Sequence, residues 1–309
     1  VMKRSLFILF ILGLLVAGNM SLPADAGFIA KHKAAAEQAK YEKDCKKEIR
    51  ELFAKQDDYA KKYDLKALKT LYSNSFVDND GYNKDVYFSL VKDTWNTYKD
   101  ITYTTEITNI QLNGDYATVE TTETAMATSD DINKAIFGEL NSTSKCIYHL
   151  QRFSNKWEII GETVLEEVSE LKYGDARYAK ISLEAPRMVG SGQEYTATLK
   201  VDLPTNNIIV ASINQEKIVN PAKKPQEVYR KVNESGTLAR VFNANTDNVN
   251  EYTVASVGIT TVDAPFGGPA RVHMSGLAFV MTRVNVVPKN NFARVDEPEG
   301  KDKNEQQTK

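Results

Sequence analysis

Residues 101–119 read ITYTTEITNIQLNGDYATV, and at this stretch the chain changes its period. Ile101 to Leu112 alternates and is rich in Thr, Tyr and Ile, the pattern of a half-buried strand. Asn113-Gly114-Asp115 is a tight turn of hairpin type, and Tyr116 to Thr128 reads as the returning strand. Asp130 to Thr143 reads as a polar connection with a helical turn around Ile132 to Phe137. Lys145 to Phe153 and Trp157 to Val168 read as two further strands, joined by a turn at Ser154-Asn155-Lys156. Upstream the period is helical. From Lys31 to Asp64 the residues Tyr41, Cys45, Ile49, Leu52, Phe53, Tyr59, Ala60 and Tyr63 recur at steps of three and four, opposite a face of Lys and Glu. Asp64 can cap a short helix from Leu65 to Tyr72, and Asp85 a third helix from Val86 to Tyr98. Between them Ser75-Phe76-Val77 reads as a short strand and Asp78-Asn79-Asp80-Gly81 as a turn. Helices followed by a strand meander predict an α+β unit with helices on one face of a mostly antiparallel sheet.

Several local patterns follow one another in a set order. Asp64-Leu65-Lys66-Ala67-Leu68 comes after the long helix, and Leu71-Tyr72-Ser73 leads into Phe76-Val77-Asp78. Asn113-Gly114-Asp115-Tyr116-Ala117-Thr118-Val119 comes next, and Tyr148-His149-Leu150-Gln151-Arg152 with Lys156-Trp157-Glu158-Ile159-Ile160-Gly161 closes the series. In order and spacing this resembles the nuclear transport factor 2-like superfamily, which includes SnoaL-like and ketosteroid-isomerase-like proteins. The likeness covers roughly residues 33 to 170. It implies a cone-shaped domain whose interior often holds a small apolar ligand.

Residues 171–176 read as a linker that ends a domain spanning 27–170. From Tyr178 to Pro288 only strand signals appear: Tyr178 to Leu183, Glu194 to Val201, Asn207 to Ile213, Glu227 to Val232, Thr237 to Phe242, Glu251 to Ile259 and Gly276 to Val287. Seven short strands separated by turn clusters suggest an immunoglobulin-like β-sandwich over 177–288. The tail, 289–309, is charged and poor in apolar residues, a composition that favours disorder. The expected fold class is therefore α+β, a cone-shaped helices-on-antiparallel-sheet domain followed by an all-β immunoglobulin-like sandwich.

Apolar residues make up 42% of the chain and charged residues 26%, a globular balance, and the formal net charge is −2. That is not the basic surface a phosphate backbone requires, so nucleic acid is not an expected partner. Lys3 and Arg4 precede an apolar run, Leu6 to Val16, and Ala24-Asp25-Ala26 offers small residues to a signal peptidase. The expectation is a signal peptide over 1–26 and an exported protein, periplasmic or extracellular. The apolar run is too short for a permanent span and no longer one follows, so no stable membrane span is expected.

Two cysteines in an exported chain invite a disulfide between Cys45 and Cys146. If helix and sheet pack as the resemblance implies, both thiols point into one layer. Two separate buried thiols is the other reading. No Cys or His pair has zinc spacing and no phosphate-binding Gly loop is present, so no metal and no cofactor is expected. Asp78-Asn79-Asp80-Gly81 fails as a calcium loop, because Phe76 and Tyr87 would fall on ligand positions. The resemblance makes Tyr59, Tyr63, Trp95, Tyr98, Tyr103, Tyr148 and Trp157 candidate lining of the cone, although most serve equally as core. Asp78 and Asp80 are the carboxylates nearest the element that would carry a base, and His149 reads as facing outward. An isomerase of this kind needs a base plus an oxyanion hole, and the second acid is not assignable from sequence.

The first functional reading is a non-catalytic exported protein. Its α+β domain would bind a small apolar ligand or form a homodimer through the sheet face, and its sandwich would contact a protein or surface. The alternatives are an isomerase- or dehydratase-type enzyme in the same interior and a purely structural cell-envelope component. An open cavity with a buried, hydrogen-bonded carboxylate favours the enzyme; an acid-free cavity favours binding.

Overall fold

A computed structural model describes residues 24–129, 137–202, 208–222, 227–263 and 271–289. Helix α1 (Ala24–Lys61) is followed by α2 (Leu65–Lys69), strand β1 (Tyr72–Asp78) and α3 (Lys84–Thr97). Four long strands follow: β2 (Thr102–Asn113), β3 (Tyr116–Ser129), β4 (Gly138–Phe153) and β5 (Lys156–Gly174). A 3-10 turn (Asp175–Tyr178) leads to β6 (Lys180–Glu184), β7 (Met188–Gly190), β8 (Glu194–Asp202), β9 (Ile208–Lys217) and β10 (Arg230–Lys231). The last strands are β11 (Thr237–Asn243), β12 (Glu251–Asp263) and β13 (Arg271–Val287). The signal segment through residue 23, the helical turn read near 132–136, the turn at 265–269 and the tail from 290 lie outside the described residues.

Local sequence explains most of these boundaries. Asp64 accepts from the Ala67 amide at 2.9 Å and starts α2. Asn83, rather than Asp85, caps α3, accepting from the amides of Asp85 and Val86 at 3.1 Å. The β2–β3 hairpin turns at Gly114 and Asp115, with Gly114 at φ 59°, a conformation its missing Cβ permits.

The chain divides into two compact units, residues 1–45 and 46–309. In the first, the described side chains are exposed apart from Cys45, and Gln38 donates to Glu42 one turn on at 3.1 Å. The second is dominated by one ten-stranded sheet in the order β10-β9-β12-β13-β5-β4-β3-β2, with β1 beside β5 and β7 beside β13. A three-stranded sheet, β11-β8-β6, packs across β9, β12 and β13 over a core that includes Leu199, Ile213, Val257, Ile259 and Val280.

This overturns the expected fold class. The molecule is mostly β and, among the described residues, has three α-helices; its large sheet runs through both halves, so it is not a helices-on-sheet α+β cone followed by a separate sandwich. The cause is β5. Residues 171–174, read as linker, continue that strand, which pairs with β4 on one side and from Val168 to Gly174 with β13 on the other. The seven strand signals after Tyr178 all coincide with strands, but the layer holding β9, β12 and β13 is the continuation of the large sheet. No disulfide joins Cys45 and Cys146; both are buried thiols, and Cys146 is turned toward Ser144 at 3.7 Å.

A buried ion pair ties the β1–α3 turn to β13. Arg283 grips Asp80 with two bonds, Nη1 to Oδ2 at 2.9 Å and Nη2 to Oδ1 at 2.5 Å, and the two side chains are only 1% and 8% exposed. Asn250 adds a bond to Asp80 at 2.8 Å, and Asn285 orients Arg283 Nε at 2.9 Å. On the other side of the turn, Asn79 accepts from the Val164 amide of β5 at 3.1 Å. A buried charge stripped of its partner is costly, whereas removing both charges is tolerated. Asp80→Ala is therefore expected to lose about 3–5 kcal/mol in urea denaturation, and the double variant Asp80→Leu, Arg283→Met to lose clearly less.

Candidate functional site

The inner face of the β2–β5 portion follows from cross-strand register. Tyr103, Thr105 and Ile110 of β2 stand opposite Ala125, Glu123 and Val119 of β3, and these stand opposite Ser142, Ser144 and Tyr148 of β4. Tyr148 in turn faces Glu162 of β5. Strict alternation from Ile159 would turn Glu162 outward. An extra residue between Ile159 and Gly161, opposite His149 and Leu150, resets the parity and points Glu162 inward. Gly161 sits at this irregularity, where a Cβ would meet the Val77 carbonyl at 3.1 Å.

Over this face lie the end of α1, α2 and α3, with β1 alongside β5, leaving a cavity of about 230 Å³. Its walls include Tyr72, Tyr87, Trp95, Tyr103 and Tyr148, and its polar groups include Asp57, Thr105, Glu123, Ser142 and Ser144. The aromatic wall is fixed by edge contacts: Tyr72 packs on Phe88 with centroids 4.9 Å apart, Phe53 on Tyr148 at 5.1 Å and Tyr63 on Trp95 at 5.2 Å. Trp95 Nε1 donates to the Tyr103 hydroxyl at 3.2 Å.

Three acids converge here. Thr105 donates to Asp57 at 2.8 Å, and burial pushes the Asp57 carboxyl up. Glu123 borders the cavity, takes a bond from Thr121 at 3.1 Å and lies against the Tyr148 hydroxyl; burial raises it too. Behind it Glu162 is 7% exposed, and burial, with the Glu123 charge as the next cause, pushes it up to about 8. Tyr87 and Cys146 hydrogen-bond to it, while its Oε2 is buried without a partner. The same burial drives the hydroxyls of Tyr72, Tyr87 and Tyr148 well above their usual range, so they stay protonated donors. One carboxyl thus faces a ligand-sized space while a second keeps its proton near neutral pH, an arrangement suited to general acid–base work.

Of the residues singled out from sequence, Trp95, Tyr103 and Tyr148 line the cavity. Tyr63 instead donates to the Lys99 and Ile101 carbonyls, and Trp157 is buried beneath the Arg152 guanidinium. Asp78 holds its own turn through the Asp80 and Tyr82 amides; Tyr59 and Tyr98 are partly buried outside the lining. His149 is exposed on the outer face. Sequence reading passed over Glu123, Glu162, Asp57, Tyr72 and Tyr87. Glu123 was within reach, because it shares parity with Ala117 and Val119.

No protein-family model matches the chain, and no curated protein matches it. Among solved structures the chain is similar to Bd1075 of Bdellovibrio bacteriovorus, with 15% identity over 38% of this chain and 39% of that one and a TM-score of 0.32. It spans less than half the length of that protein. It is also similar to a ketosteroid isomerase-like protein from Erwinia carotovora atroseptica, with 13% identity over 38% and 91% of the two chains and a TM-score of 0.30. A third is the hexachlorocyclohexane dehydrochlorinase LinA-type3 from Novosphingobium barchaimii, with 13% identity over 39% and 84% and a TM-score of 0.30. One of these solved structures is described as ketosteroid isomerase-like and another, from Streptomyces avermitilis, as belonging to the NTF2-like family, each matched over little more than a third of this chain.

The raised carboxyl has a consequence for stability. Glu162 carries an ordinary value of 4.5 when unfolded and about 8 when folded, so the folded state holds the extra proton between those limits. The stability linked to that proton is intact below pH 4.5 and is lost as pH rises through about 8. Thermal melts in chelator-containing buffer should show wild type weakening relative to Glu162→Gln across this window, by about 1.4 kcal/mol per pH unit. Parallel pH profiles for the two proteins would remove Glu162 as the cause.

Proposed function

We propose that the cavity takes a small, largely apolar molecule carrying a hydroxyl or carbonyl group, and that Glu123 moves a proton on it. This is isomerase- or dehydratase-type chemistry. The supporting observation is the pair Glu123 and Glu162, one carboxyl bordering the cavity and the other sealed behind it. A pocket meant only to hold an apolar ligand gains nothing from two buried acids, which cost stability. The size supports a small substrate, since drug-sized ligands usually occupy 300–1,000 Å³ and this cavity has about 230 Å³. Aromatic walls supply apolar contact, and the Tyr103 hydroxyl, which accepts from Trp95, keeps its own proton to donate to an oxygen of the substrate.

In this reading Glu123 is the catalytic residue and Glu162 a positioning residue. Glu162 keeps its proton, so that a single negative charge rests on the carboxyl that meets the substrate. We further propose that the chain works outside the cytoplasm, on the support of the basic and apolar residues at its start and the small residues at 24–26.

The experiment is proton exchange in heavy water with a panel of single-ring ketones, enones and β-hydroxy ketones, followed by proton NMR. Wild type should wash deuterium into the position beside the carbonyl, or release water from a β-hydroxy ketone, on at least one member. Glu123→Gln should lose at least a hundredfold in that rate. Exchange no faster than in buffer across the panel, or an undiminished rate in Glu123→Gln, contradicts the reading.

A further inference from the structure

We propose that Glu123, Cys146 and Glu162 form a binding site for one divalent transition-metal ion of the zinc class, with its open side toward the cavity. One carboxylate oxygen from each glutamate and the Cys146 sulfur lie within 4.8 Å of one another. They come from three adjacent strands, β3, β4 and β5, whose register is set by the β3–β4 pairing and by the two irregularities of β5 that flank Glu162. A second observation points to a ligand. Glu162 is more than nine-tenths buried, and its Oε2 has no hydrogen-bond partner. A buried acceptor without a donor is rare in folded proteins and asks for a missing partner. A cation supplies one.

The donor set selects the ion. Two carboxylates alone suit magnesium or calcium, but those ions demand six or more oxygens and do not take sulfur. A thiol beside two carboxylates suits zinc and its neighbours, which accept Cys and Glu and adopt four-coordinate sites. Three protein ligands leave one position free, as in sites that also bind water or a small molecule. Ligand atoms around such an ion lie on the order of 3.5 Å apart, so modest side-chain rotations bring the three together. Each is already oriented by a hydroxyl: Thr121 bonds Glu123, Ser144 lies 3.7 Å from Cys146, and Tyr87 bonds Glu162. Such outer partners are what metal sites use to hold their ligands. Zinc spacing along the sequence does not reveal the set, because the ligands meet only across strands.

The inference goes beyond the proton-transfer reading and does not depend on it. An ion here would draw Glu123 away from proton transfer, making metal uptake a means of silencing that reaction.

The test uses untagged full-length protein stripped with a chelator, then titrated with Co²⁺ and with Zn²⁺, with no substrate present. The expected result is one equivalent of Co²⁺ bound, a sulfur-to-cobalt charge-transfer band in the near ultraviolet, and displacement of that band by Zn²⁺. Cys146→Ser should abolish the band. Glu123→Gln should keep it and weaken binding at least tenfold, and Cys45→Ser should leave both unchanged. Circular dichroism of each variant confirms that it is folded, and Glu123→Gln, at the cavity wall, remains informative if a deeper substitution fails. Less than a tenth of an equivalent bound by wild type, or a band that survives in Cys146→Ser, overturns the proposal. A missing metal with intact deuterium exchange rejects this site alone, while metal uptake by a protein that shows no exchange in its chelator-stripped, metal-free form rejects proton transfer alone.

Discussion

The turn between β1 and α3 is held from two directions at once, and the rest of the molecule depends on that. Asp80 is gripped by Arg283 of β13 and Asn250, while Asn79 of the same turn is bonded to β5. A bidentate guanidinium–carboxylate pair is geometrically exacting. Buried as it is, it offers little net stability but strongly penalises any arrangement that separates its members. Together with β5 running unbroken from the cavity wall to the β13 edge, it fixes the sheet as one body. The turn also sets where β1 ends and α3 begins. Those two elements deliver Tyr72, Tyr87 and Trp95 to the cavity, so the clamp and the site are linked through a handful of residues.

The cavity shows how a sheet can carry acids inward. On β3 simple alternation places Glu123 beside Val119 and Thr121 on the inner face. On β5 the irregularity near Ile160 turns Glu162 to the same side. Without it Glu162 would be an ordinary surface carboxylate, and Glu123 would lack a buried neighbour. Bulges recur at functional positions because one extra residue re-aims a side chain without disturbing the strands around it. The surrounding tyrosines neutralise nothing by charge. Their hydroxyl hydrogen bonds lower the two carboxyls only in part, and burial with no compensating positive charge keeps the acids shifted upward.

Much of the element order was legible in the sequence, for reasons that name themselves. Asp64 announces α2 by its cap, Asn113-Gly114 announces the hairpin, and the Thr- and Ile-rich alternation after Ile101 announces β2. Seven of the eight later strands were equally visible, β7 being the exception. What failed was tertiary. Ser169 to Gly174 mixes Lys and Glu with isolated Leu and Tyr, so it lacks the contrast of a strand with one wet face, yet it pairs on both edges. That hid the continuous sheet and led to the separate-sandwich expectation. Glu162 was hidden by the bulge, since parity counted along β5 gives the wrong face. Cys146 was placed on the inner side correctly, but its neighbours there are Ser144 and Glu162 rather than a second sulfur.

The most direct test of this account is a carbon-13 NMR pH titration of chelator-treated protein labelled at the glutamate carboxyls. One resonance should titrate near 8, disappear in Glu162→Gln, and shift its midpoint downward in Glu123→Gln, where the neighbouring charge is gone. If every glutamate carboxyl titrates close to its ordinary 4.5, the buried acid pair does not exist in solution, and the reading of the cavity as a proton-transfer site falls with it.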